Sequence, residues 1–193
     1  MATTVETGTE VVEIVARPAT AESFKPFGRL LTAEGNERLP IELYGSAVNV
    51  FRPAAIEADV PIEWLLVENS LRPFRAFWME RHMQIEQAFI PLIHPIVSIV
   101  ARPDAELVNG VPAPHEMHAF VIPVGAGAQI YRGTWHEPPM PIVDKSWAFV
   151  TSHKALTQGL GSDLGEKNEI GQLDVDKRDV TARTGMIYRI VMP

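Results

Sequence analysis

Four polar side chains carry the chemistry this sequence offers. Glu80 and His82 stand two residues apart in the run from Trp78 to Phe89, Gln87 follows five residues after His82, and His136 comes three residues after Gly133. Alternate residues of a strand face the same side, so Glu80 and His82 share one face. Imidazole, with an ordinary pKa near ~6.5, suits proton transfer at neutral pH, and burial can raise a carboxyl group toward that value. The same four groups could instead hold a divalent ion, with the Gln carbonyl as the weak donor. The plainer reading makes the histidines structural, each satisfied by a backbone carbonyl, Glu80 a surface ion pair and Gln87 a strand amide.

Such residues need strands to aim them. Thirteen glycines and sixteen prolines punctuate the 193 residues at short intervals, and the segments between them are rich in Val, Ile, Phe and Trp. The pattern predicts strands at Val11–Arg17, Ile41–Val50, Ile62–Glu68, Phe74–His82, Gln87–Pro91, Ile96–Arg102, His118–Ile122, Gln129–Tyr131, Trp147–Thr151 and Met186–Val191. Turns about ten residues apart belong to a sandwich or barrel. Helix is expected only in short pieces such as Thr20–Phe24, where Thr caps and Pro26 stops propagation. Residues 1–10 read as a mobile tail, 11–193 as one domain, and Asp104–Pro114 as a loop that could rim a site.

Composition removes several function classes. Hydrophobic residues make up 46% of the chain, enough for a real core, and the net charge of −7 with no basic stripe disfavours nucleic acid. The absence of cysteine excludes disulfides, thiolate metal sites and a cysteine nucleophile, and fits a reducing cytoplasm. No basic leader and no run of ~18 apolar residues is present, so a soluble cytoplasmic protein with no membrane partner is expected. His115-Glu116-Met117-His118 is one residue short of a zincin helix motif. Gly159, Gly161 and Gly165 have the wrong spacing for a dinucleotide loop and read as ordinary loop, and His94 and His153 are expected on the surface.

Gly125, Gly133 and His136 stand at the glycine and histidine positions of the second cupin motif, with Tyr131 for its proline and Met140 for its asparagine. Glu80, His82 and Gln87 have the ligand spacing of the first motif, whose flanking glycines are replaced by Phe74 and His94. The chain thus resembles an all-β, cupin-type double-stranded β-helix, a jelly-roll-like barrel with a few short helices. Glu80-Arg81-His82, Gln87-Ala88-Phe89-Ile90-Pro91, Ala119-Phe120 and Tyr131-Arg132-Gly133-Thr134-Trp135-His136 with Pro138 further resemble the ureidoglycolate lyase family, from about Phe24 to Asp163.

That resemblance implies a homodimeric lyase that splits the carbinolamide carbon–nitrogen bond of ureidoglycolate, giving glyoxylate and urea in allantoin catabolism. It implies His136, His82 and Glu80 as catalytic residues and Glu80, His82, Gln87 and His136 as ligands of a divalent metal, nickel or zinc, with a metal-free site as the alternative. Arg132, Tyr131, Trp135 and Gln87 are the expected substrate contacts, Arg132 because a guanidinium matches a carboxylate. Arg81 lies on the opposite strand face. Glu137 replaces a second histidine common in the family; facing the site, it would disfavour an anion unless neutralised. The rival readings are a metal-dependent cupin dioxygenase or isomerase of another small acid, and a non-catalytic small-acid-binding cupin.

Overall fold

A computed structural model describes residues 3–6, 9–41, 43–45, 47–159, 168–172 and 174–193. Gly161 and Gly165 lie outside them. In chain order the strands are β1 (Thr3–Glu6), β2 (Thr9–Pro18), β3 (Gly28–Leu31), β4 (Ile62–Ser70), β5 (Arg75–Ala76) and β6 (Trp78–His82). Next come β7 (Gln87–Pro91), β8 (Ile96–Ala101), β9 (Leu107–Val108), β10 (Val111–Pro112), β11 (His118–Ile122) and β12 (Gly127–Ile130). The last six are β13 (Trp135–His136), β14 (Met140–Pro141), β15 (Lys145–His153), β16 (Ile170–Gly171), β17 (Val175–Asp179) and β18 (Met186–Val191). Among the described residues, three short α-helices, α1 (Ala21–Phe24), α2 (Lys154–Gly159) and α3 (Val180–Thr184), and one 3-10 turn at Pro114–Glu116 join them.

The architecture is the expected cupin-type β fold. One sheet runs β16-β17-β6-β13-β8-β11-β2-β18-β5, with β1 added to β2 and β14 to β8; the other runs β3-β12-β7-β15-β4. Phe24, Phe27, Leu30, Phe89, Ile96, Val100, Phe120, Ile122 and Ile130 fill the space between the two sheets. All six residues of β8, Ser98 included, are buried because both faces of the strand are covered. Ile96 and Val100 point between the sheets, while Val97, Ile99 and Ala101 pack outward with Val12, Ile14, Trp135, Val180 and Tyr188.

Sequence and structure coincide at Gln87–Pro91, His118–Ile122 and Met186–Val191, and α1 starts behind the expected Thr20 cap, whose hydroxyl accepts from Ser23 N–H at 3.1 Å. Three expectations change. Ile41–Val50 is no strand: its described residues make only an isolated bridge, Leu43 to Val48, because Pro40 and Gly45 leave too little unbroken chain for a ladder. Phe74–His82 divides into β5 and β6, which pair with different strands. The Asp104–Pro114 loop carries the β9–β10 hairpin, and Asn109 and Pro112 contact Arg183 and Tyr188 on the far side of the larger sheet. In the segment read as a tail, Thr3–Glu6 pairs antiparallel with β2.

Candidate active site

The site is a product of cross-strand register. β6 pairs with β13 so that Glu80 lies directly opposite His136, and with β17 so that Lys177 lies opposite Glu80 and Val175 opposite His82. Glu80 and His82, two residues apart, turn the same way. The next turn is held by Gly133, whose N–H donates to the His82 carbonyl at 2.7 Å while its φ of +77° suits a residue without a Cβ. The imidazoles of His82 and His136 lie 5.4 Å apart, and Phe89 meets His136 edge-on at 5.7 Å.

Each histidine is oriented through Nδ1. That of His136 donates to the Thr134 carbonyl at 3.1 Å; that of His82 faces the Asp174 carboxylate, a pure acceptor, at 3.4 Å. Both Nε2 atoms are buried without a hydrogen-bond partner. They converge on Glu80 Oε1, at 3.6 Å from His136 and 3.9 Å from His82, and one ligand atom from each of the three residues lies within 4.8 Å of the others. Two imidazole nitrogens and a carboxylate with no donor between them suit a cation. The cluster could hold a metal ion. Gln87 Oε1, buried and also without a partner, lines the same cavity as Glu80.

Burial sets the protonation of the cluster. It raises the Glu80 carboxyl above its ordinary range, with His82 and Lys177 opposing. It lowers His136 to about 3, helped by His82 and opposed by the Thr134 carbonyl, so this imidazole is neutral at neutral pH. The Asp174 carboxyl is also pushed up by burial, but bonds from His82, His153 and the Gln84 amide outweigh that and hold it well below the usual range.

Beside the cluster is a cavity of about 120 Å³ lined by Val67, Asn69, Glu80, Gln87, Phe89, Pro138, Pro139, Ala148 and Val150. None of these is a cation. Arg132 instead pairs with Asp59 at 2.8 Å, Tyr131 lines a separate surface cleft beneath the Arg29 guanidinium, and Trp135 is fully buried in the outer core. Arg81 faces outward as strand alternation requires, bonding Asp176 at 2.9 Å and covering the Trp135 ring at 4.3 Å. Glu137, one residue past His136, also turns away and bonds Arg72 at 2.7 Å. Burial raises it to about 7, against Arg72 and the Trp78 amide. It therefore places no bare carboxylate against a substrate.

Sequence reasoning missed three groups. His153 was expected on the surface but is buried, its Nε2 bonded to Asp174 Oδ2 at 2.7 Å, because β15 runs two residues past its expected end. Asp174 and Lys177 belong to a C-terminal hairpin whose strands are too short, and in β17 too charged after Val175, to show a hydrophobic alternation. His94 is exposed as expected.

Comparison with known proteins decides the family. The family described as ureidoglycolate lyase matches residues 11–170. The chain belongs to the ureidoglycolate lyase family. It is 32% identical to the ureidoglycolate lyase of Pseudomonas paraeruginosa over 131 residues, covering 65% of this chain and 74% of that one. It is 31% identical over 135 residues to that of Pseudomonas fluorescens, covering 67% and 77%. The counterpart in Pseudomonas syringae pv. tomato is 26% identical over 171 residues, 86% of this chain and 98% of the relative. The ureidoglycolate lyase match includes β6, β7, β13 and β15 and ends at β16, so Asp174 and Lys177 lie beyond it.

Proposed function

We propose that this protein is a ureidoglycolate lyase that eliminates urea from the carbinolamide carbon of ureidoglycolate and releases glyoxylate. The observation that carries the reading is the convergence of two partnerless Nε2 atoms on the Glu80 carboxyl, which lines a cavity with Gln87, in a chain of this family. The reaction needs an acceptor for the hydroxyl proton and a donor for the departing nitrogen. Neutral His136 takes the hydroxyl proton at Nε2 as the carbonyl forms, and Glu80, its pKa raised, gives its proton to the leaving urea nitrogen. The carboxylate left at Glu80, 3.6 Å away, offsets the cost of the buried imidazolium. Return of the proton from His136 to Glu80 restores the site.

Asn69 and Gln87 offer amides to the ureido end of the substrate. In the alternative with a metal, Glu80, His82 and His136 would hold a divalent ion, nickel or zinc by their donor types, with Gln87 as a weaker fourth donor; the His136 Nε2 lone pair would then be occupied and Glu80 kept ionised, in place of the proton roles above. Such an ion would supply positive charge, absent from the described residues that line the cavity, and Lewis-acid polarisation of oxygen. The setting we propose is a cytoplasmic homodimer. Trp64 and Leu66 on β4 and Phe149 on β15 support the dimer, being 52%, 56% and 40% exposed on one outer face. No helix among the described residues is long and apolar enough to cross a membrane.

The test is glyoxylate release from racemic ureidoglycolate, with and without chelator and with nickel or zinc restored. Stereoselective release above the spontaneous rate is expected. Its absence with every metal overturns the reading.

A further inference from the structure

We propose that Asp174, braced by His153, is a positioning residue that locks His82 with its hydrogen on Nδ1 and its Nε2 lone pair directed at Glu80 and His136. The inference rests on the reading of His82 as part of the active centre and adds to it a residue outside the segment that matches the family.

The geometry around this carboxylate is that of an orienting group. Asp174 sits between β16 and β17, where the hairpin meets the end of β6, and is only 9% exposed. Its Oδ1 accepts two backbone N–H groups, from Met83 at 3.2 Å and Gln84 at 2.8 Å, and the Met83 N–H also reaches the Asp174 carbonyl at 2.9 Å. Those bonds fix the carboxylate plane against the residues that follow His82. Oδ2 then faces two imidazoles, His153 Nε2 at 2.7 Å and His82 Nδ1 at 3.4 Å. An ionised carboxylate only accepts, so both nitrogens must carry hydrogen. For His82 that leaves Nε2, which has no partner and lies 3.9 Å from Glu80, as the atom presented to Glu80 and His136. The second carboxylate oxygen of an orienting aspartate selects a tautomer in this way in hydrolase triads, and carboxylates behind metal-binding histidines do the same.

His153 keeps Asp174 from swinging away. It ends β15, the strand that also supplies Ala148 and Val150 to the cavity wall, so the chain His153–Asp174–His82 ties the C-terminal hairpin and both sheets to one imidazole.

Asp174→Asn in the full-length chain is the direct test. The amide keeps an oxygen for the Met83 and Gln84 N–H groups but turns a donor toward the imidazoles. His82 must then move its hydrogen to Nε2. Two-bond proton–nitrogen NMR of histidine-labelled protein, with His82 assigned by difference from His82→Gln, should show a lone-pair Nε2 in the wild type and a protonated Nε2 in the variant. Turnover should fall through kcat by about 10²-fold or more, with KM within about twofold, since the loss is of orientation rather than of binding. His153→Gln, whose amide can still donate to Asp174, should retain both the tautomer and most of the turnover, whereas His153→Phe should lose about tenfold in kcat.

A folded Asp174→Asn protein with His82 still protonated on Nδ1 and unchanged kcat overturns the proposal. So does the reversed tautomer with wild-type kcat. If Asp174→Asn does not fold, the contrast between His153→Gln and His153→Phe decides, and equal kcat in the two overturns the bracing. A wild-type chain that releases no glyoxylate defeats the lyase reading alone, and the tautomer of His82 then supports or overturns the role of Asp174.

Discussion

At the scale of single residues the site is governed by what burial does to charge. His136 is neutral because a buried imidazolium beside His82 costs too much, and Glu80 holds a proton more tightly than a surface carboxyl for the same reason. His136→Ala should retain the fold and cut kcat by at least ~10²-fold, as removal of a proton-transfer group does; circular dichroism and steady-state rates check it. Glu137 gives a stability prediction. Its folded pKa of about 7 lies above the ordinary carboxylate value, so between the two pH values the folded chain holds a proton that the unfolded chain has lost. Stability from this group is full in acid and declines as pH rises through about 7, by an amount on the order of 3 kcal/mol. Glu137→Gln should remove that decline, so urea unfolding at pH 5 and pH 8 should show its stability relative to wild type rising with pH. Arg72→Met should do the opposite, costing about 1–3 kcal/mol at pH 8 and little at pH 5, where Glu137 is protonated with or without its partner.

At the scale of elements, the turn at Gly133 positions the site. With φ at +77° and its N–H bonded to the His82 carbonyl, Gly133→Ala should cost about 1–2 kcal/mol. It should also lower kcat by shifting β13 against β6; a stability loss without a kcat effect would detach the turn from the chemistry. The same elements mark how far the sequence could be read. β7, β8, β11 and β18 are apolar runs bounded by turn residues, and Glu80 and His82 share a face simply because strands alternate. Ile41–Val50 has the composition of a strand, but its described residues form no ladder beyond the Leu43–Val48 bridge, and pairing is what local pattern does not encode. β17 is the converse case. Asp176, Lys177, Arg178 and Asp179 look like solvent-exposed loop, yet they pair with β6 because Arg81, Trp78 and Glu80 supply partners for the charges. His153 and Asp174 are 21 residues apart in sequence, and their meeting depends on that long-range pairing. Arg132, read as a substrate contact from its place beside Gly133, pairs with Asp59, and Trp135 packs in the outer core, placements that depend on partners far along the chain.

At the scale of the whole molecule, the inner and outer faces of one strand would couple the proposed dimer to the site. Among the described residues, β4 is the edge of its sheet and bonds to β15. Its inward residues Val67 and Asn69 line the cavity, and its outward residues Trp64 and Leu66 form the apolar face with Phe149, whose ring meets Trp64 edge-on at 6.1 Å. An exposed edge strand with an apolar face is a liability in isolation, and a two-fold contact covers it with the same residues from both copies. Leu66→Glu would place like charges near such an axis, so light scattering should show the mass of the proposed dimer in the wild type and of one chain in the variant. Asn69, two strand positions beyond Val67, should then be less firmly held. The expected kinetic consequence is a KM raised several-fold with kcat retained, because Glu80, His82 and His136 sit on β6 and β13 in the other sheet. A wild-type chain already monomeric at micromolar concentration removes this face from assembly. A monomeric Leu66→Glu protein with unchanged KM would show that β15 alone positions β4.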